Sequence, residues 1–209
     1  MVVAEKFWDR IAEKYARQPV RDQNAYQITL DRVASYLKLS DRVLEVGCGT
    51  GSTALTLSGQ VAAIHGTDIS TKMIEIARSK AAAAGTTNVT FGKMAVDDAG
   101  EAETRFDVVM GMNLLHLVED LDGALEGMSR ALKPGGLLIT KSVCIGEGVG
   151  IWPLVLPVLR VLGKAPYVRV MKIADLEAAI TGAGFEILET GDYPARPPNR
   201  FVVARKIAA

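Results

Sequence analysis

The spacing of apolar residues predicts two amphipathic helices at the start of the chain. Apolar side chains recur every three or four positions through residues 4–17 and again through residues 24–38, which places them on one face of each helix. Pro19 separates the two patterns. Because both helices precede the first predicted strand, we expect residues 1–38 to form a helical cap over the part of the fold that follows.

From residue 41 onward, short apolar runs alternate with helical patterns. Such alternation predicts a doubly wound α/β sheet whose parallel strands are joined by right-handed crossovers. The seven predicted strands comprise residues 42–46, 61–66, 88–93, 106–111, 137–143, 185–190 and 200–206. The predicted helices among them comprise residues 51–59, 70–84, 119–132 and 173–183. Prolines in residues 192–199 predict a hairpin with a long loop, so the last strand should run antiparallel.

A glycine-rich segment directly follows the first predicted strand. Residues 43–51 read Val-Leu-Glu-Val-Gly-Cys-Gly-Thr-Gly, so a glycine stands at every second position and Glu45 precedes the first of them by two. Glycine accepts positive φ and lets a ligand approach the backbone closely. A strand, a glycine turn and a helix form a nucleotide-type crevice at the carboxyl end of a strand. A nicotinamide-binding turn requires G-x-G-x-x-G, and Ser52 stands where its third glycine would fall.

The segment instead resembles the first motif of the class I S-adenosylmethionine-dependent methyltransferases. The resemblance extends over residues 40–142 and, more loosely, over residues 173–206. It implies a Rossmann-like sheet, mostly parallel with an antiparallel last strand, and S-adenosylmethionine as the cofactor. It also implies that the methionine part of the cofactor contacts Glu45, Gly47, Cys48, Gly49, Thr50 and Gly51.

The second predicted strand is followed by an acid, Asp68, about 20 residues after the glycine loop begins. A carboxylate at this point can accept both hydroxyl groups of a ribose, and the family resemblance implies the same role. Asp68 is also a favoured residue for the N-cap of the next helix, although Ser70 would serve equally well. Ile69 and Met73 are expected either near the adenosine or in the core.

The loop after the third strand departs from the family pattern. Related enzymes often carry an Asp-Ala pair here, whereas this chain has Met94 and Ala95. The resemblance implies that the backbone of Ala95 and Val96 contacts the adenine edge and that Met94 packs on its face. Asp97 is expected either to accept from the adenine amino group or to be a solvated loop acid.

The fourth strand leads into the part of the site where chemistry is expected. The resemblance implies that Asn113 and Leu114 lie near the methionine part and the reactive methyl group. His116 follows directly, and an imidazole with an ordinary pKa of about 6.5 suits a general base. The competing interpretation is a histidine at a helix start that is bonded to nearby backbone or to the cofactor.

Composition narrows the class of protein further. The 24 basic and 24 acidic residues cancel, so we expect no nucleic-acid partner. The two separated cysteines, Cys48 and Cys144, indicate a reducing compartment, which we take as the cytoplasm, and no metal site. The first ten residues lack the apolar region of a signal peptide. The longest apolar run, residues 149–162, contains prolines and is shorter than the ~20 residues that a spanning helix needs.

We therefore expect a single domain over residues 1–209, with residues 40–142 as the cofactor-binding core and residues 144–172 as a variable lid or insert. The insert would cover a hydrophobic acceptor, contact a membrane surface peripherally, or pack as an ordinary helix on the sheet or on a second subunit. Residues 7–15 resemble the lead-in of quinone-type and other small-molecule methyltransferases, which implies that Tyr15 lies close to the cofactor.

The predicted function is S-adenosylmethionine-dependent methylation of a small, apolar molecule by a monomer or homodimer. Two alternatives remain open at this point: an NAD-dependent oxidoreductase, and a non-catalytic protein that binds a cofactor or a partner.

Overall fold

The computed structural model describes residues 2–101, 105–147, 150, 152–161, 163 and 165–207. Seven strands form one sheet: β1 (Arg42–Val46), β2 (Ala63–Asp68), β3 (Val89–Lys93), β4 (Phe106–Met112), β5 (Leu132–Val143), β6 (Phe185–Ala195) and β7 (Pro198–Lys206). Their order is β3-β2-β1-β4-β5-β7-β6. Strands β1 to β5 pair in parallel, and β7 is antiparallel to both β5 and β6. The predicted α/β class, strand number and antiparallel last strand are confirmed.

Helices cover both faces of this sheet. The α-helices of the described residues are α1 (Val2–Arg17), α2 (Gln23–Ala34), α3 (Ser52–Leu57), α4 (Thr71–Ala83), α5 (Leu121–Ala131), α6 (Trp152–Val161) and α7 (Ile173–Gly182). Apolar residues of α2, α3 and α4 pack on one face, and those of α5 and α7 pack on the other. Val43, Leu44 and Val46 of β1 are all buried, as expected for a central strand that is covered on both sides.

Strand β5 begins five residues earlier than predicted. Phe106 of β4 pairs with Leu132, but Val108 pairs with Leu137, so the register shifts and residues 133–136 lie outside the regular ladder. Gly135 has a φ of 72°, which permits this irregularity. The Pro-Gly-Gly segment of residues 134–136 is therefore an irregularity within the strand.

The prediction of a long loop between the last two strands is wrong. Asp192 pairs with Arg200 and Ala195 pairs with Pro198, which leaves only residues 196–197 in the turn. The prolines are tolerated because Pro194 lies at a register shift and Pro198 is the first residue of its strand. The two strands are consequently longer than the sequence pattern indicated.

Candidate functional site

The loop between β1 and α3 has a left-handed backbone at each of its three glycines, with φ of 67° at Gly47, 53° at Gly49 and 75° at Gly51. A Cβ atom at Gly47 would lie 2.6 Å from the side chain of Leu114, and one at Gly51 would lie 2.6 Å from that of Phe91. At Gly49 the nearest atom would be Cε1 of Tyr15, 3.8 Å away. Gly47 and Gly51 thus permit close packing, whereas a Cβ atom at Gly49 would make only an ordinary contact with Tyr15.

Glu45 is the last residue but one of β1, two positions before Gly47, and is only 1% exposed. Burial raises the pKa of its carboxyl group to about 8, against a hydrogen bond donated by the backbone N–H of Ala54 that favours the charged form. Its Oε2 atom has no hydrogen-bond partner among the described residues. A buried acid with an unused oxygen fits a positively charged group such as an ammonium.

Asp68 joins the end of β2 to the glycine loop. Its Oδ2 accepts the backbone N–H of Gly49 at 3.0 Å, and its Oδ1 accepts that of Ser70 at 2.8 Å. Burial raises the pKa of Asp68, and backbone hydrogen bonds from Ser70, Gly49 and Ile69 oppose that shift. The carboxylate keeps lone-pair capacity with which to accept a hydroxyl group.

The N-cap of α4, a role considered for Asp68, is Ser70. The Ser70 hydroxyl accepts the backbone N–H of Met73 at 3.1 Å and so caps α4. The same hydroxyl donates to Asp9 of α1 at 2.6 Å, and Asp9 also accepts the backbone N–H of Lys72 at 3.0 Å. These bonds hold helix α1 beside the crevice, and Asp68 stays directed towards the glycine loop.

The other residues predicted around the loop differ in exposure. Met73 is 2% exposed and Ile69 is half-buried, so Met73 is part of the packed interior. The buried Thr50 hydroxyl accepts a hydrogen bond from Lys80 at 2.9 Å. Cys48 is buried, and burial strongly raises the pKa of its thiol, which keeps it protonated.

The loop after β3 starts beside Asp68, because the backbone N–H of Met94 donates to the Asp68 carbonyl at 3.1 Å. Met94 and Val96 pack against the core, Ala95 is half-buried, and the side chain of Asp97 is exposed. The structure therefore brings this loop to the predicted ribose site but leaves Asp97 in solvent.

The end of β4 meets both the glycine loop and β5. Leu114 packs against Gly47. Asn113 has a φ of 55°, its N–H donates to the Lys141 carbonyl at 2.7 Å, and its Oδ1 accepts from Asn199 at 2.9 Å. Leu114 thus lies against the first motif, whereas Asn113 contacts β5 and β7. A position of the two residues near the reactive methyl group stays a prediction.

His116 is buried two residues beyond Leu114. Burial lowers the pKa of its imidazole to about 4, so the ring is neutral near pH 7. Its Nδ1 faces the backbone N–H of Val143 at 3.4 Å, and its carbonyl accepts the N–H of Arg169 at 2.7 Å. These contacts match the backbone-bonded interpretation, and a role as general base stays a prediction.

The predicted insert connects the cap to the segment that follows β4. Arg10 of α1 donates to the Gly163 carbonyl. Arg160 of α6 forms an ion pair with Glu119, and the guanidinium group of Arg169 donates to the Glu119 carbonyl. These contacts place the described part of the insert between α1 and the loop that carries His116.

Sequence reasoning missed Lys141, which is 5% exposed within β5. The available signal was a single charge inside the otherwise uncharged strand pattern of residues 137–143. In the ranges that the structure describes, no group of three or more His, Cys, Asp or Glu side chains is arranged to hold a metal ion. Over those ranges, too, no helix combines the length and the apolar character needed to cross a membrane.

Comparison with known proteins bears on this geometry. A protein family described as a methyltransferase domain matches residues 43–136. A ubiquinone biosynthesis O-methyltransferase from Paracidovorax citrulli is 27% identical over 205 residues, which cover 95% of this chain and 84% of that protein. Another from Brucella anthropi is 30% identical over 154 residues, which cover 71% of this chain and 61% of that protein.

The chain belongs to the class I S-adenosylmethionine-dependent methyltransferases. The fold agrees, because magnesium protoporphyrin IX methyltransferase from Synechocystis PCC 6803, solved with bound SAH, superposes with a TM-score of 0.67 at 23% identity over 96% of this chain and 93% of that one. The chain whose sequence is given above therefore uses S-adenosylmethionine as its cofactor. The loosely packed Gly49 beside Tyr15, the unused oxygen of Glu45 and the carboxylate of Asp68 fit that ligand. The oxidoreductase and the non-catalytic alternatives are set aside.

Proposed function

We propose that this methyltransferase methylates an oxygen atom of a small, largely apolar molecule. The observation that carries the proposal is the crevice at the carboxyl ends of β1 and β2, where only Tyr15 lies near Gly49, Glu45 has an unused oxygen and Asp68 lies against the loop. The relatives named ubiquinone biosynthesis O-methyltransferase support oxygen as the acceptor atom.

Asp68 would hold the two ribose hydroxyl groups of the cofactor, and Glu45 would receive its ammonium group. When bound, S-adenosylmethionine supplies an electrophilic methyl group on a sulfonium, so the chain's main task is to align the acceptor. Gly49 would leave room for the methionine part, with the rest of the glycine loop around it. The remaining proposed contacts are Tyr15, Ile69, Met73, Met94, Ala95, Val96, Asp97, Asn113 and Leu114.

The acceptor would enter between the cap and the insert. Tyr26 of α2 and Met112 at the end of β4 are partly exposed side chains that pack against the same core cluster. Val158 and Val161 of α6 are 58% and 88% exposed, which supports a lid that meets an apolar acceptor or a membrane surface. Exclusion of water by such a lid would favour methyl transfer over hydrolysis.

A methyl-transfer assay tests the acceptor atom. Cofactor labelled in the methyl group would be incubated with alkyl-substituted phenols and, as matched compounds, with the corresponding anilines and thiophenols. We expect label to enter the phenols and to be recovered as methyl ethers. Transfer to the anilines or thiophenols alone would contradict oxygen methylation.

A further inference from the structure

A buried lysine lies near the carboxyl end of β5, outside the cofactor crevice. The Nζ atom of Lys141 donates to the Thr29 hydroxyl of α2 at 2.9 Å, and that hydroxyl donates onward to the Ala25 carbonyl at 2.7 Å. Within the described part of the chain, no carboxylate forms an ion pair with this lysine; Asp22 acts on it only from a distance. An ammonium group has three donors, so the bond to Thr29 leaves two of them for another partner.

A buried cation without a counterion is costly for the folded state. The structure shows the consequence, because burial lowers the pKa of Lys141 to about 8. A methionine at this position would avoid that cost, since the register neighbours of Lys141, Met112 and Phe201, are apolar. Retention of the charge is explained if a ligand group supplies the missing partner.

The surroundings of Lys141 form a surface that we call the acceptor shelf: Met112, Lys141, Val143, Asn199 and Phe201. Lys141 pairs in register with Met112 of β4 and Phe201 of β7, and Val143 pairs with Asn199. Residues in register, and residues two apart along a strand, point to the same face of a sheet. The shelf is therefore mainly apolar and carries a single cation.

The shelf adjoins the predicted position of the reactive methyl group. The Lys141 carbonyl accepts the N–H of Asn113, and Asn199 of the shelf donates to the Asn113 side chain. Met112, Val143 and Asn199 are partly exposed, so a ligand above the end of β4 would reach the shelf at its exposed edge.

We propose that Lys141 binds an anionic oxygen of the methyl acceptor. The acceptor is then an apolar molecule with one ionisable oxygen, either a phenolate or a carboxylate. This inference rests on the proposed function, since it requires the acceptor to lie on the shelf. A charge-assisted hydrogen bond from a buried ammonium would discriminate strongly against neutral molecules of the same shape.

The proposal is tested by measuring how small anions bind to protein saturated with SAH, the demethylated form of the cofactor. The probes are benzoate with its neutral counterpart benzamide, and 4-nitrophenolate with its neutral counterpart 4-nitroaniline. We expect wild-type protein to bind one of the two anions about tenfold or more tightly than its neutral counterpart. We expect Lys141→Met to lose that preference while its affinity for SAH stays unchanged. The pair that shows the preference identifies the oxygen as carboxylate or phenolate.

Lys133→Met is the matched control, because Lys133 lies at the opposite end of β5 in an ion pair with Asp107. It should keep the wild-type preference. An equal preference in wild-type protein and Lys141→Met would overturn the proposal, as would a wild-type protein that binds neither anion or does not distinguish them. Failure of the wild-type protein to bind SAH would instead contradict the proposed function itself.

Two further measurements separate ligand binding from a purely structural role. A structural lysine would lose its bond to Thr29, so Lys141→Met would melt at a lower temperature; we expect an equal or higher one. Should that variant fail to fold, the wild-type protein still decides, because NMR of the lysine 13Cε and 15Nζ atoms follows the Lys141 titration directly. The preferred anion should raise the Lys141 pKa, and an unchanged titration would overturn the proposal.

Discussion

The carboxylate of Asp68 accepts the backbone N–H of Gly49 at 3.0 Å, and this bond joins the end of β2 to the middle of the glycine loop. The acid and the loop come from different motifs of the sequence. Their contact brings the two motifs together at the carboxyl edge of the sheet, where the cofactor site is proposed.

Replacement of Asp68 tests its place in the cofactor site. Asp68→Ala should weaken SAH binding by about 1–3 kcal/mol, because charged hydrogen bonds to the ribose are lost. Calorimetry measures the change. Ser70→Ala is the control, since it removes the cap of α4 and should lower the free energy of unfolding by about 1 kcal/mol. Unchanged SAH affinity in Asp68→Ala would remove Asp68 from the cofactor site.

Alanine variants of two glycines with the same backbone conformation distinguish the effect of backbone strain from an effect on ligand binding. Gly49 and Gly85 have φ of 53° and 63°, and neither would place a new Cβ in a clash. Alanine at either position should lower the free energy of unfolding by about 1–2 kcal/mol, because L residues disfavour this conformation. Only Gly49→Ala should also weaken SAH binding. Equal SAH affinities in both variants would show that Gly49 does not face the ligand.

The buried Glu45 predicts a pH dependence of stability in the cofactor-free protein. Its pKa is about 8 in the folded state against an ordinary value of 4.5, so the folded state holds a proton that the unfolded state has released between those values. The contribution of protonated Glu45 to the free energy of unfolding is therefore complete below pH 4.5. It is lost as the pH rises through 8, by at most about 1.4 kcal/mol per pH unit. Urea unfolding of wild-type protein and Glu45→Gln from pH 5 to 8 measures this. A wild-type slope that persists in Glu45→Gln would contradict it.

His116 is tested by turnover and by its pH profile. We expect His116→Ala to reduce turnover more than SAH affinity, and equal losses would make His116 a binding residue instead. Because its pKa is lowered to about 4, the wild-type rate should show no titration near 6.5. His116→Asn is the control, since its side chain can still accept the Val143 N–H. Recovery of turnover in that variant would assign His116 a positioning role rather than a role as base.

Much of the fold could be predicted because strands buried on both faces leave continuous apolar runs. The order of motifs also fixed which strand ends carry Glu45 and Asp68. Strand ends were less predictable, since β5 starts at Leu132 only through an irregular pairing with Phe106. The pattern of prolines likewise concealed the two-residue turn between β6 and β7.

The site was predictable where one motif supplies several contacts, and unpredictable where contacts join distant segments. The bond between Asp9 and Ser70 depends on how α1 crosses the start of α4. The bond between Lys141 and Thr29 links residues 112 positions apart. No local spacing encodes such pairs.

Calorimetric titration of the wild-type protein with SAH and, separately, with NAD tests the central claim most directly. The account predicts heat of binding with SAH at one site per chain and none with NAD. Binding of NAD in the absence of any binding of SAH would contradict it.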